Sequence, residues 1–259
     1  MALPFCTLAR RIYMKKYILE CCVDSVESAL AAAEGGADRL ELCSNLVIGG
    51  TTPTLALFEQ IREKTKIRIH ALIRPRFGDF LYTEDEAAII CKEIKAFRKA
   101  GAEGVVIGSL TKEGALDMEQ MKRFMECAGD LSVTLHRAFD MCKDPFAELE
   151  HAKELGVHTI LTSGQAASCV AGIERMKELC EAAGDEIRIL AGAGICEEAV
   201  KKLLAETKLT DFHMSGKVVL ESGMEYRNPN VSMGLPGMSE YDIWRTDAQK
   251  VRAVRALLG

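Results

Sequence analysis

Short apolar runs and amphipathic stretches alternate along this chain with little interruption. The apolar runs fall at 17–22, 39–43, 68–74, 104–108, 132–137, 159–162, 187–191 and 211–215. Their length and their β-branched content read as strands buried on both faces. Stretches of helical period lie between them, near 25–34, 53–64, 84–100, 117–128, 145–155, 166–182, 196–206 and 247–258. Asp24 or Ser25 opens the first, Thr52 precedes Pro53 at the second, and Thr83 with Glu86 makes a capping box at the third. The segments GGADRLEL (35–42), AGAEGVVI (100–107) and LGVHTILT (155–162) share one grammar, of which KLTDFHMS (208–215) is a degenerate copy. In the first three, Gly36, Gly101 and Gly156 stand where a left-handed residue ends a helix. Eight strands, each followed by a helix, predict an α/β fold, a (β/α)8 TIM barrel in a single domain, with a doubly wound open sheet as the alternative.

Two segments break the rhythm. Residues 221–246 show neither period and carry Pro229, Pro236 and several glycines. They predict a long structureless loop after the eighth strand, either a lid or binding loop over the barrel mouth or else a mobile surface loop or an oligomer contact. At the other end, residues 1–14 read as a loose extension, with 15–259 as the barrel domain. The basic residues of the extension follow its broken apolar part, the wrong order for a secretory signal.

Composition narrows the function classes. The chain has 259 residues, is 48% hydrophobic and 27% charged, and carries a net charge of −5. That balance gives no electrostatic case for nucleic acid or an anionic membrane as partner, and no apolar run is long enough to span a bilayer. The ten cysteines show no C-x-x-C pair or regular spacing. They read as reduced thiols of a cytoplasmic protein rather than a disulfide framework.

The chemistry concentrates at strand ends. Glu20 and Cys22 share one face of the first strand, and Glu41 and Cys43 share one face of the second, because side chains alternate. Their apolar neighbours should face the helices, so acid and thiol should face the barrel axis. The third strand adds Arg74, with Arg76 beyond it and His70 earlier. The fifth adds His136, with Asp140 in the next loop, and the sixth ends in Thr162 and Ser163. Gly192 and Gly194 follow the seventh strand, and the eighth brings His213, Ser215 and Gly216. Glycines there expose backbone N–H groups that can bind a phosphate or carboxylate, together with Arg74, Arg76 and Ser163. Glu20, Glu41 and His136 would be the acid and base, with Asp140 orienting His136. Each has a structural alternative: Glu20 and Glu41 as ion-pair partners of Arg74 or Arg137, the thiols as inert core, and His70, His136 and His213 as satisfied core histidines.

The stretches LECCVDSVESALAAAEGGADRLELCSNLVIGGTTP, IRPRFGDFLYTEDE, LHRAFDMCKDPFAELE, ILTSGQ and EYRNPNVSMG resemble the CutC family of copper homeostasis proteins, over nearly the whole chain. The resemblance implies a TIM barrel, a cytoplasmic location, self-association into a homo-oligomer and a role with copper. It places Cu(I) on thiolates of the first two strands, here Cys22 and Cys43, a choice that suits a soft ion. The alternative is an isomerase, lyase or hydrolase acting on a small anionic metabolite.

Overall fold

The computed structural model describes residues 17–234 and 237–259. The extension at 1–14 and Pro236 lie outside them. Strands β1 (Ile18–Val23), β2 (Arg39–Leu42), β3 (Arg68–Leu72), β4 (Gly104–Ile107), β5 (Ser132–Leu135), β6 (Thr159–Thr162), β7 (Arg188–Ala191) and β8 (Asp211–Met214) pair in sequence order, all parallel, and β8 closes on β1. Helices α1 (Val26–Glu34), α2 (Leu55–Lys64), α3 (Glu84–Ala100), α4 (Met118–Ala128), α5 (Pro145–Glu154), α6 (Ile173–Ala183), α7 (Glu197–Glu206) and α8 (Ala248–Leu258) connect or follow them. This is the (β/α)8 barrel that the alternation predicts, closed rather than open. Among the described residues, no helix is long and apolar enough to cross a membrane.

The period-2 pattern sorts residues between two cores. Leu19, Cys21, Leu40, Leu42, Ile69, Val105, Leu135, Ile160 and Phe212 point outward and join the helices in one large apolar core. Inside the barrel the apolar cluster is small: Cys22, Cys43, Leu72 and Val106. Most of the remaining interior is polar, including Glu20, Arg39, Glu41, His70, Thr134, His136 and Asp211, all buried. Barrels of this type are ordinarily filled by layers of branched aliphatics. A polar filling must be hydrogen-bonded to be tolerated; Glu20 pairs with Arg39 and Asp211 with Arg188, whereas His70 Nδ1, Thr134 Oγ1 and His136 Nε2 have no partner among the described residues.

Local signals decide where helices start. Thr83 and Glu86 form the expected capping box, and Gly101 ends α3 at φ 90°. At α2 the cap is Thr54, whose hydroxyl accepts from Leu57 N–H. Thr52, the expected opener, is engaged by the end of β3, its hydroxyl accepting the Arg74 N–H at 3.0 Å. Helix α6 begins at Ile173 rather than 166, because Asp140 collects the N–H groups of Ser163 and Gln165 into a tight loop.

The segment 221–246 is not structureless throughout. Its last residues form β10 (Asp242–Thr246), which pairs antiparallel with β9 (Lys217–Glu221), immediately after β8. Lys217 Nζ lies 3.8 Å from the centroid of the Trp244 ring. Thr246 anchors the ribbon: its N–H donates to Ser28 Oγ and its hydroxyl to Ser215 O. The ribbon packs through few buried side chains, so no apolar periodicity marks it in the sequence.

Candidate functional site

The first wall of the barrel mouth is made where β8, β1 and β2 meet. The register sets His213 beside Glu20, Glu20 beside Arg39, and Cys22 beside Glu41. Arg39 Nε donates to Glu20 Oε2, and His213 Nδ1 donates to Glu20 Oε1 at 2.7 Å. The other imidazole nitrogen, His213 Nε2, stands 3.7 Å from Glu41 Oε2. One donor atom from each of Cys22, Glu41 and His213 lies within 4.8 Å of the others. Burial alone would raise the Glu20 carboxyl. The Arg39 charge and the His213 hydrogen bond overcome it and hold Glu20 well below the usual carboxylate range. Glu41 moves the other way, raised by burial and by the charge of Glu20. Burial opposes charge on His213, but Cys22, Glu20 and Glu41 facing it raise the imidazole well above its ordinary value.

The opposite wall comes from the ends of β3 and β5. His136 caps a short 3-10 turn, its Nδ1 accepting the Ala138 N–H at 3.1 Å. Burial first, and the charge of Arg74 second, push His136 down to about 3. The ring is therefore neutral near pH 7 with its proton on Nε2, and Nε2 is buried without a partner. In this state His136 offers the cavity a hydrogen-bond donor. Arg74 is buried, its NH1 reaching Gly50 O at 3.0 Å and Gly49 O at 3.4 Å, its NH2 reaching Gly78 O at 2.7 Å. Phe80 lies over both residues, its ring centroid 5.0 Å from the guanidinium carbon and 4.7 Å from the imidazole.

The two walls enclose a cavity of about 400 Å³, which Cys22, Glu41, Arg74, His136, Gly194, His213 and Ser215 all line. Arg137 and Lys217 stand at its rim. Ala193 adopts φ 69° and Gly194 φ 87° in the turn after β7. A left-handed alanine is uncommon, and such backbone concentrates at ligand sites.

Several expected members stand elsewhere. Glu20 lies beneath the cavity as the support of His213. Cys43 is sealed behind Cys22, its thiol pointing back to Glu41 O at 3.7 Å. Asp140 does not orient His136; it accepts from Thr162, Ser163, Gln165 and Arg137, and so shapes the loop after β6. Ser163 is consumed in that loop. Arg76 is tied to Asp79 and Glu86 away from the mouth. Gly192 does not offer its N–H, which donates to Thr162 O at 2.9 Å; a side chain there would meet Leu161 at 2.7 Å. Gly216 backs onto Val251 of α8. The partner of Glu20 is Arg39, not Arg74 or Arg137. Arg39 was legible in principle, since it alternates with Glu41, but it lies at the strand's start, far from the expected mouth.

The CutC family profile matches residues 17–218. A CutC family protein of Bacteroides fragilis is 46% identical over 241 residues, covering 92% of this chain and 96% of the relative. The human copper homeostasis protein cutC homolog is 41% identical over 242 residues, covering 93% of this chain and 89% of its own. A crystal structure of a copper homeostasis protein CutC from Streptococcus agalactiae superposes with a TM-score of 0.73 at 26% identity, covering 77% of this chain and 98% of that one. On profile, sequence and fold together, the chain belongs to the CutC family.

Proposed function

We propose that this protein serves copper homeostasis in the cytoplasm, taking up Cu(I) as cargo at the barrel mouth through Cys22, His213 and Glu41. The observation that carries this reading is the approach of these three donors to within 4.8 Å of one another. A thiolate and an imidazole fit a soft monovalent ion, with the carboxylate as the harder third donor. Glu20 accepts the Nδ1–H hydrogen bond of His213 and so directs Nε2 to the ion, which displaces the Nε2 proton on binding, the usual way a carboxylate orients a metal-binding histidine. Cys43, fully buried in the same apolar cluster as Cys22, is a reserve sulfur rather than a cavity-lining ligand. The copper-related names of the human and streptococcal relatives support the same reading.

Anaerobic competition against a chromophoric Cu(I) chelator tests it. Cys22→Ser and His213→Ala should each weaken Cu(I) binding at least roughly 10-fold, and Glu20→Gln by a comparable factor without removing a ligand. Cys43→Ser should do less. A Cys22→Ser/His213→Ala double variant that holds Cu(I) as tightly as the unchanged protein would refute the site.

A further inference from the structure

An ion clip on β8, β1 and β2 leaves the other half of the cavity unexplained. Arg74 is a guanidinium that is only 7% exposed, and no carboxylate pairs with it among the described residues. Its two terminal nitrogens reach three backbone carbonyls, which hold it in place but carry no net charge, while Nε has no acceptor. A buried, unneutralised cation is costly. His136, only 4% exposed, adds an Nε2–H with no acceptor. An unmade hydrogen bond of this kind costs about 1–3 kcal/mol. Gly108 is the concession that keeps this donor in place, since any side chain there would meet the His136 ring at 2.6 Å. The fold thus accommodates a positive charge and a lone donor side by side under Phe80, and both residues face the same cavity.

We propose that this wall is a recognition site for a small organic monocarboxylate, whose oxygens are received by Arg74 and by the Nε2–H of His136. The two groups supply what a carboxylate lacks, a counter-charge and a donor. A phosphate would need more. Phosphate cups in barrels of this kind draw on free N–H groups after strands seven and eight. Here the Gly192 N–H is committed to Thr162 O, and Gly216 turns towards α8. Lys217 at the rim draws anions towards a molecule whose net charge is otherwise negative. Glu41 on the facing wall repels a second anionic end. The ligand is therefore oriented with its acid group under Phe80 and its neutral end towards Cys22 and His213. A cavity of about 400 Å³ suits a molecule of small-metabolite size. This site goes beyond the copper reading and does not depend on it.

The experiment uses the metal-free full chain with labelled histidine, observed by 15N NMR, and L-lactate as the probe. Lactate should shift the His136 Nε2 resonance saturably, in the millimolar range expected for so few atoms. The neutral ester methyl lactate should not. Arg74→Gln should weaken the effect at least 10-fold, while Arg76→Ala, whose guanidinium is held by Asp79 and Glu86, should leave it unchanged. Because the unaltered protein supplies the main readout, a variant that fails to fold does not rescue the idea. Absence of a saturable His136 response, an equal response to methyl lactate, equal weakening by both arginine variants, or phosphate binding 10-fold tighter than lactate would each overturn it.

Discussion

Gly104 opens the short strand β4 and Gly108 follows it, and each faces an imidazole from a neighbouring strand. A Cβ at 104 would meet the His70 ring at 2.6 Å, and one at 108 would meet the His136 ring at the same distance. The barrel has room for two buried histidines because β4 gives up side chains at both ends. Gly108→Ala should cost about 1–3 kcal/mol in denaturant unfolding, as overpacking does. In a His136→Ala background the same substitution should cost clearly less, a coupling measurable by a double-mutant cycle. At this scale the sequence was informative about which residues face the axis, because alternation is a local rule. Glu20, Cys22, Glu41 and His136 all obey it. Partnership was less legible. Glu20 pairs with Arg39 and His213, and the second lies 193 positions away, a relation set by barrel closure and not by any local spacing. The tautomer of His136 was illegible for a similar reason: its Nδ1 is claimed by the N–H of Ala138 only once the chain turns after β5.

Between strands and helices, loops carry the differences. Asp140 follows β5 but works on the loop after β6, accepting from two of its backbone N–H groups and from the Thr162 and Ser163 hydroxyls. Asp140→Asn keeps the shape and removes the charge. It should cost about 1–3 kcal/mol of stability and speed amide hydrogen exchange at Ser163 and Gln165, with little change at β1. Unchanged exchange there would remove Asp140 from its organising role. Helix starts were legible where capping is local, as at Thr83, and slipped at α2 and α6, where Thr52 and Ser163 answer to distant partners. The β9–β10 ribbon was invisible because its strands are largely solvent-exposed and lack a buried face to impose a period.

On the scale of the whole molecule, the polar interior makes stability pH-dependent. Burial, with the Arg39 charge second, pushes His70 down to about 3, and His136 is pushed equally far. Both are neutral in the fold at pH 7, while in the unfolded chain each titrates at its ordinary 6.5. As pH falls below about 6.5, the unfolded chain takes up protons that the fold refuses, so these two groups withdraw stability progressively towards pH 3 and contribute no such slope above 6.5. Urea midpoints should therefore drop between pH 7 and about pH 4.5, and the side-chain NMR signals of His70 and His136 should stay in their neutral form throughout that range. Titration of either ring near pH 6 in the native protein would contradict this. The overall architecture was readable because a barrel is a periodic object whose repeats announce themselves along the chain. The chemistry within it was readable only by strand and face, because which acid meets which base depends on how the staves are joined.

The hydrogen bond between Glu20 and His213 crosses the seam where the last stave meets the first. During synthesis the ribosome delivers Cys22 and Glu41 early, yet His213 arrives only after most of the chain has emerged. Until that final stave docks, two of the three clustered side chains, Cys22 and Glu41, lack the third. Assembly of the Cys22–Glu41–His213 cluster and completion of the barrel are thus one event, and an unfinished polypeptide has no such cluster to offer.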